Sequence, residues 1–307
     1  MSGVGLVAVG ALKGSPGVTT AALALAAVWP AGAADTGPLL VEADPSGGDV
    51  AGWYGLLGYP GLLAWAAAAR GGAAAVDAHV WALAGGVGLV AAPVEAGSAR
   101  GAVAVLAQTG SVPWAASGRL VVADCGRLDP SSVALPIAGA AGVLVVLVRP
   151  VPAELARVAG RVEELTGTGR RDCVLVLAGE PEWSAGRVEE AVGLPVVGVM
   201  PHHPRAAAGV AGGRFGRGTR RSQLLRAAAD IAADLDRRLA GRPAGPSRAL
   251  AALPSAAPLP AVPPGSLPRA GGRLPVLPGA TFTISRPGGQ AAASGWVPTT
   301  PDREGWQ

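Results

Sequence analysis

Lysine is almost missing: one occurs in 307 residues, at position 13, and every other strongly basic side chain is arginine. So much Ala, Gly, Pro and Arg points to a genome poor in lysine codons, in which arginine supplies ordinary surface charge. A lysine in such a chain asks for a reason that arginine does not meet. A compact ammonium on a flexible stem, aimed at phosphate oxygens, is one. Cysteine is as scarce. Cys125 and Cys173 stand alone in apolar runs, which excludes a disulfide scaffold and fits a reducing cytoplasm. His79, His202 and His203 have no cysteine or acid at metal-ligand spacing, so no zinc site is expected. The start lacks a basic segment followed by a long apolar core, so it does not read as a signal peptide. Long hydrophobic runs are also lacking, although the mean hydropathy is +0.39. The uncharged stretches at 78–94 and 131–148 are broken by Gly and Pro and barely reach spanning length. They read as buried strands and helices, and no transmembrane segment is expected.

The lysine lies in an informative place. Gly5-Leu6-Val7-Ala8-Val9-Gly10 is a short apolar run of buried-strand type, and the Ala/Leu-rich stretch from Thr19 reads as a helix. Between them Leu12-Lys13-Gly14-Ser15-Pro16-Gly17-Val18-Thr19-Thr20 forms a Gly/Pro/Ser loop. Its N–H groups would curl into an anion-binding nest at a helix N-terminus. Two further segments end apolar runs with an acid: Pro38-Leu39-Leu40-Val41-Glu42-Ala43-Asp44-Pro45 and Arg119-Leu120-Val121-Val122-Ala123-Asp124-Cys125-Gly126. The second has the Walker B form, whose carboxylate joins a Mg²⁺ shell through water.

The order Lys-Gly-x-x-Gly-x-Thr-Thr resembles the deviant Walker A motif of the MinD/ParA family of P-loop ATPases. The resemblance implies ATP and Mg²⁺ as ligands. Lys13, Gly14, Ser15, Gly17, Val18, Thr19 and Thr20 would form the phosphate loop. Lys13 matches the signature lysine that reaches across a nucleotide-sandwich homodimer, and Thr19 matches the Mg²⁺-binding hydroxyl. Asp44 matches the later acid of the second-strand motif, near the attacking water and the metal shell, with Glu42 standing in for the first. Asp124 would hold Mg²⁺ through water, and Pro201 matches a strand–Pro loop near the base. Four departures accompany the match, one being Leu12 in place of the first glycine of the general Walker pattern. Val18 replaces the lysine that ordinary P-loops place on the β/γ-phosphates, Ser15 replaces a glycine, and Pro16 donates no N–H. Losing one charge-assisted hydrogen bond costs roughly 1.5–3 kcal/mol, so weak or absent hydrolysis is expected.

Further apolar runs at Val87–Ala91, Gly142–Val148, Cys173–Leu177 and Pro195–Val199 alternate with helix-like stretches at Glu154–Leu165 and Arg187–Val192. Continuously apolar strands belong to a parallel sheet covered on both faces. The expected fold is therefore α/β, a doubly wound and mostly parallel sheet with ligand at the carboxyl ends of its strands. Arg220–Leu239 reads as a closing helix with Leu224, Leu225, Ile231 and Leu235 on its buried stripe. Residues 1–241 form the expected domain. Residues 242–307, dominated by Pro, Ala, Gly and Ser, are expected to be a disordered tail. The strand-like piece Ala280–Ile284 and Trp296 and Trp306 are possible docking points there.

A net charge of +4 and the cluster Arg214-Phe215-Gly216-Arg217-Gly218-Thr219-Arg220-Arg221 permit non-specific DNA binding, or contact with an acidic partner. Two function classes remain. One is an ATP-gated dimer that positions a chromosome locus, a secretion complex or a pilus base, located in the cytoplasm or held at the membrane by partners. The other is a non-hydrolysing scaffold with the same fold, and the Pro-Ser-Gly-Gly-Asp run at 45–49 leans toward the CpaE/TadZ pilus-assembly branch. A metabolic relative of dethiobiotin synthetase is disfavoured, because those enzymes keep the standard lysine. Removing residues 242–307 is expected to leave the domain folded. Thermal melts of the full and truncated chains check this, and a large drop on truncation would show that the tail packs against the domain.

Overall fold

In a computed structural model of the chain, residues 5–13, 17–30, 37–56, 59–71, 75–108, 118–167 and 172–241 are described. The strands are β1 (Gly5–Ala11), β2 (Leu39–Glu42), β3 (Trp81–Ala82), β4 (Gly88–Val90), β5 (Leu120–Arg127), β6 (Val143–Val148), β7 (Asp172–Ala178) and β8 (Val196–Met200). They form one sheet in the order β3-β4-β2-β5-β1-β6-β7-β8. All described pairings are parallel except β3 against β4. The doubly wound, mostly parallel sheet expected from the apolar runs is therefore present. The edge strand β3, two residues long, is too short to be legible as a run of its own.

Each strand sends alternate side chains to opposite faces. Leu6 and Ala8 of β1, Leu39 and Val41 of β2, and Leu144 and Val146 of β6 enter one apolar cluster, under α3 (Leu62–Arg70), α4 (Ala96–Gln108) and α5 (Leu135–Ala140). Val7 and Val9, Leu40, and Val143 and Val145 enter the other, under α1 (Val18–Val28). Burial on both faces explains why these strands read as unbroken apolar runs. The short helix α2 (Val50–Trp53) follows the β2 loop.

The stretch expected as one helix from Glu154 is two, α6 (Pro152–Ala159) and α7 (Val162–Thr166), parted at Gly160 and Arg161. Glycine costs roughly 1 kcal/mol in a helix interior relative to alanine. The Arg161 guanidinium turns away to the Leu128 carbonyl and to Glu164, which sets the break. After α8 (Ala185–Val192) and β8 come α9 (Pro204–Ala211), the short α10 (Arg217–Arg220) and α11 (Gln223–Ala240). The closing helix thus starts at Gln223, where the Ser222 hydroxyl accepts the Leu225 N–H, and not at Arg220. Leu224, Leu225, Ile231 and Leu235 are buried on its core face. The suggested docking points in the tail lie outside the described residues.

The last helix sits tightly on the sheet. A methyl group on Gly198 of β8 would come within 2.5 Å of Ile231 Cγ1. Gly198→Ala is expected to cost roughly 1–3 kcal/mol by overpacking, and Ile231→Ala roughly 2–5 kcal/mol by leaving a cavity. The double variant should lose less than the two together, because each change relieves the other. Urea unfolding of the four proteins measures this, and strict additivity would show that the contact is not shared.

Candidate functional site

Three loops meet beside α1 at the carboxyl ends of the central strands. Gly17 precedes the helix with φ 91° and ψ 38°, a left-handed conformation that a side chain would strain. Gly17 so starts α1 with no side-chain cap on its first N–H groups among the described residues. The positions Gly14 and Ser15 lie outside the described residues. Lys13 is exposed just after β1. Val18 points inward: it is 9% exposed and packs in the α1-side cluster.

Asp124 sits near the end of β5, paired in register with Val9 on one side and Glu42 on the other. Alternation along β5 turns it toward the α1 face, where it is buried. Its carboxylate accepts the Gly126 N–H at 3.0 Å, and the neighbouring Thr19 hydroxyl favours its charged form. Asp44 comes in from the β2 loop, which is pinned by the Ser46 N–H donating to Asp44 Oδ1 at 2.7 Å. The approach to β5 is close. A side chain on Gly126, at φ 55°, would fall on the Asp44 carboxylate, so only glycine leaves room. Thr19, Asp44 and Asp124 are thereby brought together.

Glu42 plays a different part from its neighbours. It is buried, and Oε1 accepts the N–H groups of Asp49 and Val50 at 2.8 Å each, while Oε2 accepts that of Ala92 at 3.0 Å. One carboxylate so ties the β2 loop and the start of α2 to the chain leaving β4. Gly48 is pressed against it, leaving no space for a Cβ. The position that resembles a site acid in the sequence holds the loop that carries Asp44.

On the other flank of α1 a cavity of about 460 Å³ opens. Gly17, Thr20 and Ala21 form its α1 side, Arg149 and Gly179 follow β6 and β7, and Pro201, His202 and His203 follow β8. Of the positions named from sequence, Gly17, Thr20 and Pro201 line it. The His203 Nδ1 accepts the Ala206 N–H at 3.1 Å and caps α9. Sequence reasoning passed over Arg149. The usable signal was an arginine directly after the apolar run 143–148, followed by Pro152 and Glu154 in the first turn of a helix.

Burial pushes the Asp124 carboxyl up to about 7 from an ordinary 3.8. The bonds from Thr19 and Gly126 oppose that rise, and the nearby Asp44 and Glu42 charges add to it. Burial likewise raises Glu42, against its three backbone donors. A nearby cation would favour the ionised form of such a desolvated, acid-flanked carboxylate, although among the described residues no cluster of three metal-ligating side chains forms.

No protein-family model matches this sequence, and no curated protein matches it. The fold does have solved relatives. A ParA family ATPase from Chlorobium tepidum TLS superposes with a TM-score of 0.59 at 19% identity, covering 76% of this chain and 100% of that one. The septum site-determining protein MinD complexed with Mg-ADP, from Pyrococcus horikoshii OT3, gives 0.56 at 14% identity, over 78% and 98%. The ATP complex of a Cyanothece McdA variant gives 0.55 at 16% identity, over 78% and 98%. The chain therefore has the fold of the MinD/ParA ATPases.

The Asp124 environment makes a pH prediction for metal-free protein. The folded chain holds this proton more tightly than the unfolded chain. Its contribution to stability is full below about pH 4 and is lost as pH rises to about 7. At roughly 1.4 kcal/mol per pH step the loss is at most about 4 kcal/mol. Asp124→Asn should flatten that slope in urea unfolding between pH 4 and pH 8. A parent whose stability does not fall over this range would show that Asp124 is ionised and already neutralised by a partner.

Proposed function

We propose that this chain is a MinD/ParA-like nucleotide-binding protein that takes Mg-ATP with weak or absent hydrolysis and acts, as a homodimer, as a nucleotide-gated positioning or assembly factor. The observation that carries the reading is the buried Asp124 carboxylate at the end of β5, with the Thr19 hydroxyl of the first turn of α1 beside it. That arrangement, with Asp44 beside it, suits a hydrated divalent cation. The left-handed Gly17 and the α1 start, uncapped by any described side chain, suit phosphate oxygens. The likeness to structures described as Mg-ADP and ATP complexes supports the same ligands here.

In this reading Thr19 and Asp124 hold Mg²⁺, Asp124 through water, and Lys13 reaches phosphate from the loop. Bound Mg²⁺ supplies charge neutralisation at the β- and γ-phosphates. Asp44 is the acid placed to orient a water, with its loop held by Glu42. Cargo follows from partners. Chromosome partition, secretion and pilus assembly are the candidates, and the exposed Arg214, Arg217, Arg220 and Arg221 offer phosphate contacts to DNA.

A non-hydrolysing scaffold is the second reading, and Val18 favours it. The side chain that replaces the usual lysine is apolar and packed in the core cluster, so it offers phosphate nothing. A lysine at this position has to run its stem out of that cluster along the first turn of α1. Calorimetric titration with Mg-ATP separates the readings. The parent should bind weakly, Val18→Lys should bind about 10- to 100-fold more tightly, and Lys13→Ala should weaken binding. If neither the parent nor Val18→Lys takes up nucleotide, the scaffold reading stands and the ATP reading falls.

A further inference from the structure

Arg149 has a property that its place in the chain does not require. It follows the last residue of β6 with its side chain 55% exposed, on the wall of the 460 Å³ cavity. It is nevertheless held in one orientation. Glu154, buried in the first turn of α6, takes the Arg149 Nε–H on Oε1 at 2.7 Å and the Arg149 backbone N–H on Oε2 at 3.1 Å. Nη2 also donates to Oε1. An exposed arginine ordinarily samples many rotamers. This one is edge-locked by a carboxylate, and among the described residues no other group bonds its guanidinium, so its faces and Nη1 are uncommitted there.

The cavity around it differs from the other flank of α1. Asp44, Asp124 and Glu42 all stand on the β2 and β5 side, whereas among the described residues no carboxylate lines the cavity on the β6, β7 and β8 side. With α1 and Gly17 between them, a ligand anchored by its phosphates at the helix start points its other end into this cavity. There Ala178, Met200, Pro201 and Ala207 present apolar surface, and Arg149 presents a fixed flat cation. A planar aromatic ring meets both requirements, since a guanidinium stacks on π faces and its attraction grows as water is excluded.

We propose that Arg149, held by Glu154, is the stacking platform for the nucleobase and favours purines over pyrimidines. This rests on the nucleotide reading above. In it Arg149 touches the ligand, and Glu154 is a positioning residue that acts through the guanidinium.

The test uses the full chain and titrates Mg-ATP, Mg-UTP and Mg-tripolyphosphate into the parent, Arg149→Ala, Arg149→Lys and Glu154→Gln, with melting curves as a fold control. Arg149→Ala should weaken Mg-ATP by roughly 3- to 30-fold, narrow the preference for ATP over UTP, and leave tripolyphosphate unchanged. Arg149→Lys keeps the charge without the plane and should resemble Arg149→Ala. Glu154→Gln should fall between that variant and the parent. Parent-like ATP affinity in Arg149→Ala overturns the proposal, as does a matching loss for tripolyphosphate, which would make Arg149 a phosphate contact. A parent that binds tripolyphosphate but gains nothing from the base overturns the proposal and leaves the phosphate site standing. A parent that binds none of the three overturns the nucleotide reading and this proposal with it.

Discussion

The site depends on burying carboxylates on the α1 side of the sheet. Glu42 and Asp124 lie in register on neighbouring strands, both almost completely out of water. Removing a carboxylate from water is costly unless hydrogen bonds or a cation replace the lost hydration. The two acids solve this differently. Glu42 accepts three backbone N–H groups, which offset part of its burial, and becomes a joint between loops. Asp124 accepts the Gly126 N–H with the Thr19 hydroxyl beside it, and its carboxyl is pushed up to about 7. One acid is finished by the fold, and the other is left wanting positive charge.

The sheet order divides the remaining work. From β1 the sheet extends through β5, β2 and β4 on one side and through β6, β7 and β8 on the other. The loop before α1 therefore sits where the winding reverses, as ligand sites in open α/β sheets do. Acids gather on the first side, while the second offers an uncharged cavity with one locked arginine. A ligand with a polyanionic end and a flat apolar end fits that division.

Much of this was legible before any coordinates. The runs at 5–10, 38–42, 119–124 and 142–148 read as buried strands because both faces of the sheet are covered. Gly17 and Thr19 are legible because their loop resembles a deviant Walker A motif. Other features were illegible for equally physical reasons. Glu42 resembles a site acid, since a sequence does not record that Val50 and Ala92 bring their N–H groups to it. The break between α6 and α7 depends on Arg161 finding the Leu128 carbonyl from 33 residues away. The buried side chain of Val18 is likewise a matter of packing, which helical position alone leaves open.

The amino-acid sequence by itself determined the layer order, the strand character and the presence of a glycine-bearing loop between β1 and α1. These follow from local periodicity and from backbone conformations that few residues adopt. Only the tertiary structure decided which acid is satisfied and which is not, that Asp44 closes over Gly126, and that Arg149 is held flat at the wall of a cavity. Those outcomes hinge on which backbone donors and neighbouring charges arrive from distant strands. Desolvation makes their presence or absence worth several kcal/mol at each carboxylate.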